Sequence, residues 1–163
     1  MKYITTYSGE DFSPIHPNIN QIKIEDIAHA LSMMCRANGH FNHFFSVAQH
    51  SINCAIEAKA RGFSRKLQLA CLLHDASEAY ISDITRPVKS ELFEYCSIEK
   101  QLQDLIYEKF LYGTLTADEQ ATVKQIDDDM LICEFNTLMK KTVFEYNPII
   151  ISNLNFDFRM FSE

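Results

Sequence analysis

The stretch LLHDASEAYISDITRPVK, residues 72–89, decides how the rest of the chain is read. An apolar helical run containing Leu67, Ala70, Cys71 and Leu73 ends in the adjacent pair His74-Asp75. Glu78 and Asp83 follow, and Pro87 closes the segment. An imidazole beside a carboxylate at the end of a buried helix is costly unless the charge has a partner. A divalent metal is one such partner, because neutral imidazole and carboxylate oxygen both ligate first-row ions. A metal-free His-Asp hydrogen-bonded pair is the other. The first reading requires more ligands elsewhere in the chain.

Composition sets the frame for that search. The 163 residues suit a single domain, with residues 1–20 as an N-terminal flap and 142–163 as a C-terminal tail. Hydrophobic residues make up 47 %, including 12 Phe and 7 Tyr, which is ample for a core. Only four Gly and four Pro argue for helices over a turn-rich β fold. A formal net charge of -7 argues against a nucleic-acid partner, while a small anionic substrate needs only local cations. Five cysteines at 35, 54, 71, 96 and 133 form no CxxC pair, so a reducing cytoplasm is expected. The first residues lack the apolar core of a signal peptide, and no run approaches membrane-spanning length, so no membrane partner is expected.

Working outward, Tyr3 to Tyr7, Ser8-Gly9 and Glu10 to Phe12 read as a short hairpin with a glycine turn. Helical spacing runs over residues 23 to about 36, and again from about Ser46 to a stop at Gly62. His50 falls at the edge of the second helix's buried stripe. Ser64 caps the next helix, which leads into His74. A short link makes these two helices antiparallel, so His50 near the start of one and His74 near the end of the other lie at one level. Pro87 stands just before a long helix over about 90–111, and Thr116 with Glu119 forms a capping box for another that runs to about 140. In that last helix Asp127, of the triplet Asp127-Asp128-Asp129, falls on the apolar face and needs a cation. The tail packs back on the core or forms a subunit contact.

The constellation is then His50, His74, Asp75 and Asp127, a mixed nitrogen and oxygen set drawn from separate helices and fit for Zn, Mn, Fe, Co or Ni. SVAQHS (46–51), HDASEAYISDITRPVK (74–89), VKQID (123–127) and IEDIAHALSMMCRANGH (24–40) together resemble the HD-domain phosphohydrolases. Within them the bacterial 5′-deoxynucleotidases and the small phage dATP/dNTP phosphohydrolases are most similar. The resemblance implies an all-α HD-domain bundle, a divalent metal (Zn, Co, Mn, Fe, Ni or Mg) on His50, His74, Asp75 and Asp127, and a small nucleotide substrate. It implies that Glu78 and Asp83 orient or activate the attacking water and that Arg36 binds phosphate. His40 is a further candidate for phosphate contact, and Lys89 and Arg86 either bind phosphate or are solvated. Ala37 stands where the deoxynucleotidases carry an aromatic residue that helps exclude ribose. Related proteins are often dimers or hexamers, so a homo-oligomer is expected.

Overall fold

The computed structural model describes residues 2–154 and Phe156; Asn155 and the tail beyond Phe156 lie outside the described residues. Helix dominates, as the scarcity of Gly and Pro predicts, and one antiparallel hairpin precedes it. β1 (Ile4–Thr5) pairs with β2 (Asp11–Phe12), Ile4 opposite Phe12. The turn between them passes through Gly9 at φ 85°, a conformation that favours glycine. This flap is fastened to the core. Phe12 is fully buried with its ring 4.3 Å from that of Tyr80, and Asp26 accepts from the Ser8 amide at 2.6 Å and hydroxyl at 3.0 Å. Burial of one Phe stabilises by about 1.5–3 kcal/mol, enough to hold so short a hairpin in place.

The helices are α1 (Ile24–Met33), α2 (Val47–Ala60), α3 (Arg65–Leu73), α4 (Glu78–Ile81), α5 (Arg86–Lys89), α6 (Phe93–Leu111) and α7 (Ala117–Leu138). Ser46 caps α2 by accepting from Gln49 N, Ser64 caps α3 by accepting from Leu67 N, and the Thr116/Glu119 capping box opens α7 as expected. Two expected boundaries move. The first helix stops at Met33 rather than near 36, because Met34 turns extended and the chain pairs with the entry to α2: Arg36 N donates to Phe45 O at 2.8 Å and Val47 N to Met34 O at 3.0 Å. That pairing turns Arg36 inward. Pro87 does not precede the long helix directly; it sits in the first turn of the separate helix α5, where its missing N–H costs nothing, and α6 begins only at Phe93.

One core cluster joins Phe12, Ile22, Leu31, Val47, Leu73 and Ile106. A second, shared by α2, α3 and α7, contains Cys54, Ala58, Ala70, Cys71, Ile126 and Met130, and the tail residues Ile150 and Leu154 pack against it. Of the two fates expected for the tail, the described part takes the first and folds back on its own chain. Its anchor is the buried carboxylate of Glu57. That group accepts from Ile151 N at 3.1 Å, Ser152 N at 2.9 Å, Ser152 Oγ at 2.6 Å and Arg61 Nε at 2.7 Å. Among the described residues no helix is long and apolar enough to cross a membrane.

Burial pushes the Glu57 carboxyl up, but the hydrogen bonds from Ser152, Arg61 and Ile151 outweigh it and hold the pKa at about 2, below the ordinary 4.5. A depressed carboxyl stabilises the fold fully above its unfolded pKa, and that stabilisation is lost as pH falls from about 4.5 toward about 2. The difference corresponds to about 3 kcal/mol. Glu57→Gln should therefore lower stability to urea at pH 7 by a few kcal/mol and flatten the acid limb between pH 4.5 and 2.5. An acid limb as steep as wild type's would remove Glu57 as the anchor.

Candidate metal centre

His50 lies in the first turns of α2 and is completely buried, not at the edge of its stripe as its sequence position suggests. His74 is the C-terminal cap of α3. The expected antiparallel pairing of α2 and α3 brings their Nε2 atoms to 3.1 Å. The other nitrogen of each ring is engaged: His50 Nδ1 donates to Glu134 Oε1 at 2.8 Å and His74 Nδ1 donates to Cys71 O at 2.7 Å. Fixing the Nδ1 side orients the Nε2 side, an arrangement common behind metal-binding imidazoles. The two Nε2 atoms so aimed need a proton or a cation between them.

Carboxylates approach the same point. Asp127 Oδ1 is 3.2 Å from His50 Nε2 and 3.6 Å from His74 Nε2. Asp75 Oδ2 is 3.7 Å and 3.3 Å from the same two atoms. Donors each about 2.1 Å from one ion stand roughly 3–3.5 Å apart, so these separations fit a shared ion. The thiol of Cys54, one turn after His50, lies 3.6 Å from His50 Nε2. The buried group His50, Cys54 and His74 could itself hold a metal. All four residues expected as ligands thus come together, and Cys54 joins them.

Electrostatics follow from this crowding. Burial opposes charge on Asp127, yet hydrogen bonds with His50 and His74 hold its pKa well below the ordinary range. For His50, burial and Arg36 oppose protonation, but Cys54, Glu134 and Asp127 raise its pKa well above the ordinary 6.5. A metal at this point would have to displace a proton. Arg36 is buried and donates through Nε to Glu134 Oε2 at 2.9 Å, with Asp75 at 3.5 Å and Asp127 at 3.8 Å.

Asp75, Asp127 and Arg36 of this cluster form the floor of a cleft of about 470 Å³, while the two imidazoles and Cys54 are not among its lining residues. Glu78, Asp83, Ala37, His40 and Lys89 all line it, so every residue expected to bind substrate or move a proton reaches the same opening. Glu78 is buried and its Oε2 has no hydrogen-bond partner. Burial, then Asp75 and Asp83, push its pKa up to about 10, and positive charge entering the cleft would draw it down. Burial likewise raises Asp83. Lys89 is paired with Glu99 at 2.5 Å. Ala37 stands at φ 54° and Asn38 at φ 50°, left-handed positions costly for residues with a Cβ, in the turn that carries Arg36 to the cleft wall. The hairpin contributes nothing to the lining, so the flap covers core and not cleft.

Two residues of the site, Glu134 and Cys54, were not expected from the sequence, and a third, Arg86, takes a role other than phosphate contact. Glu134, fully buried, joins Arg36 to His50. Its signal was a carboxylate among Met130 and Leu138 at four-residue spacing, two turns beyond Asp127. Cys54 had the one-turn spacing from His50. Arg86, which like Lys89 could bind phosphate or be solvated on sequence grounds, lines the cleft and reaches Asp127 Oδ2 at 2.9 Å and Asp128 Oδ1 at 2.6 Å.

No family model matches the chain. It is 39 % identical over 110 residues to the uncharacterized protein YfdR of Escherichia coli strain K12, across 68 % of this chain and 59 % of that protein. It is 33 % identical over 126 residues to an uncharacterized protein of Rhodobacter capsulatus, across 74 % of this chain and 64 % of that one. The chain thus spans about three fifths of the length of these curated relatives.

Removing one member of a buried ionic cluster leaves its partners uncompensated, which costs on the order of 3–5 kcal/mol. Glu134→Ala should lower stability in urea by that order, and Asp128→Ala, half exposed, by about 1 kcal/mol or less. Equal losses from both would mean that Glu134 does not hold the cluster together.

Proposed function

We propose that this protein is a metal-dependent nucleotide phosphohydrolase of the HD class, acting on deoxynucleotides. The observation that carries the reading is the approach of the His50 and His74 Nε2 atoms to each other and to the Asp75 and Asp127 carboxylates, at 3.1–3.7 Å, where those carboxylates line a cleft also lined by Glu78, whose Oε2 is unpartnered. The sequence resemblance assigns the same residues to an HD centre. His50, His74, Asp75 and Asp127 would hold the ion, with Cys54 against the His50 side. A divalent ion supplies Lewis acidity there, polarising a phosphoryl oxygen and acidifying a water.

The chain's own residues supply the rest. Glu78 Oε2 accepts a hydrogen bond from the attacking water and takes its proton, with Asp83 behind it across the same opening. Water oxygen bonds to phosphorus as the phosphorus–oxygen ester bond breaks, and the leaving alkoxide takes up a proton. Arg36 lies against the carboxylates of the floor and neutralises charge growing on the phosphoryl oxygens. A monophosphate would yield deoxynucleoside and phosphate; a triphosphate attacked at its α-phosphorus would yield deoxynucleoside and tripolyphosphate. The resemblance also carries the expectation of a dimer or hexamer, and the unpaired cysteines that of a reducing cytoplasm.

A nucleotide-binding module without turnover is the second reading. It is favoured by the Arg36 contacts to Asp75, Asp127 and Glu134, which offset part of the cluster's negative charge within the fold. Elemental analysis and a panel of dNMPs and dNTPs with Mn²⁺, Co²⁺ or Zn²⁺ separate the two. Phosphohydrolase action predicts one or more equivalents of metal and released phosphate or tripolyphosphate; nucleotide binding with no product favours the module. His74→Ala and Asp75→Ala should lose metal and turnover together. Glu78→Ala should retain the metal and lose about 10²-fold or more in kcat. Wild-type kcat in Glu78→Ala would strip that residue of its role.

A further inference from the structure

The floor explains where a phosphate ester would react, but it accounts for only part of the lining. Much of the remaining apolar lining comes from one ridge of residues along α7 and its C-terminal cap. Asp127, Leu131, Phe135 and Met139 follow one another at four-residue spacing, and all four line the cleft. Residues so spaced on a helix stand one above another, each roughly 6 Å further along the axis; Met139 follows as the C-terminal cap of α7, which ends at Leu138. The ridge therefore begins at a carboxylate of the floor and continues as three apolar side chains. Leu131, Phe135 and Met139 are each only partly buried, so they keep surface toward the opening.

A second element completes this wall. The chain reverses after α7 and returns Phe144 to the cleft, with its ring 6.2 Å from that of Phe135 at 74°. Asn136 holds the reversal. Its Nδ2 donates to Phe144 O at 3.2 Å, Tyr146 O at 3.2 Å and Asn147 Oδ1 at 2.9 Å. Its Oδ1 accepts from Phe144 N at 2.9 Å and Val143 N at 3.3 Å. One side chain thus bonds four backbone groups of residues 143–146 and the Asn147 side chain, tying the reversal to the end of α7. Phe144 is placed by this network and is not itself buried in the core.

We infer that Leu131, Phe135, Met139 and Phe144 form a subsite for the planar ring of the substrate, a nucleobase, with Asn136 as the residue that positions it. The inference rests on the phosphohydrolase reading and adds to it where the base goes. Leu131 stands one step of roughly 6 Å from Asp127 and Phe135 two, so a pentose reaching from an ester phosphorus over Asp127 brings the attached ring to Leu131 and the ring extends toward Phe135. Apolar and aromatic walls with no polar side chain among them accept any base by stacking and burial, so this subsite distinguishes nucleotides from plain sugar phosphates and does not select among bases. Asn136 lies outside the lining of the cleft and acts only through Phe144.

The test compares dAMP with deoxyribose 5-phosphate on the metal-supplemented 163-residue chain by calorimetry, with phosphate release from dAMP and tripolyphosphate release from dATP followed alongside. Wild type should bind dAMP at least tenfold tighter than the sugar phosphate. Phe144→Ala should lose about tenfold in dAMP affinity and leave the sugar phosphate unchanged; Phe144→Tyr should restore the preference. Asn136→Ala should resemble Phe144→Ala. Wild type binding both ligands equally, or Phe144→Ala weakening both alike, overturns the ring subsite. Binding preference as expected, with neither phosphate released from dAMP nor tripolyphosphate from dATP, supports the subsite and overturns the phosphohydrolase reading instead, so the two failures are told apart.

Discussion

Two imidazole nitrogens face each other at 3.1 Å in the middle of this protein, and much of the structure serves to keep them there. Neither ring can turn away. Glu134 holds one by its far nitrogen and the Cys71 carbonyl holds the other. Neutral lone pairs so placed repel, which makes the point between them a site for positive charge: a proton on His50 or a metal ion. The carboxylates of Asp75 and Asp127 raise that demand, and Arg36 meets only part of it. An interior that gathers this much charge is not the least expensive way to fill a helical bundle, because apolar replacements of similar volume are often as stable or more so.

The folding of the surrounding segments follows from the same demand. The helix that would have carried Arg36 is cut at Met33, and the chain pairs edge to edge with the entry to α2. Continuation as helix would have placed the guanidinium by helical spacing; the extended pairing turns it inward and buries it. The strain is visible next door, where Ala37 and Asn38 both adopt left-handed angles. On the other side, Tyr95 from α6 donates to Ser82 O at 2.7 Å and pins the loop that carries Asp83.

Local signals in the sequence were strong where one element decided the outcome. Ser46, Ser64 and the Thr116/Glu119 box marked helix starts because an N-cap depends on neighbours within one turn. The meeting of His50 with His74 was legible because a short link leaves adjacent helices little choice but to run antiparallel. What the sequence hid was pairing between segments. Nothing local to residues 34–36 announces hydrogen bonds to 45–47, so the early end of α1 was missed. Glu134 was passed over because a lone glutamate in a long helix is ordinarily solvated, and only Arg36, 98 residues away, makes it a buried partner.

The periodicity of α7 ties these strands together. Position 127 faces the imidazoles and position 134, two turns later, faces Arg36 and His50, so one face of the helix supplies the inner charges. The ridge through 127, 131, 135 and 139 leads away from that face into the cleft and changes from acid to apolar after its first member. A single helix thereby fixes the distance between reacting centre and apolar wall with the stiffness of its own backbone. Short tail contacts then need only deliver Phe144, which the amide of Asn136 does from the far side of the same helix end. The site's length scale is in this way a consequence of helical rise, and its chemistry a consequence of which side chains the register brings to the opening.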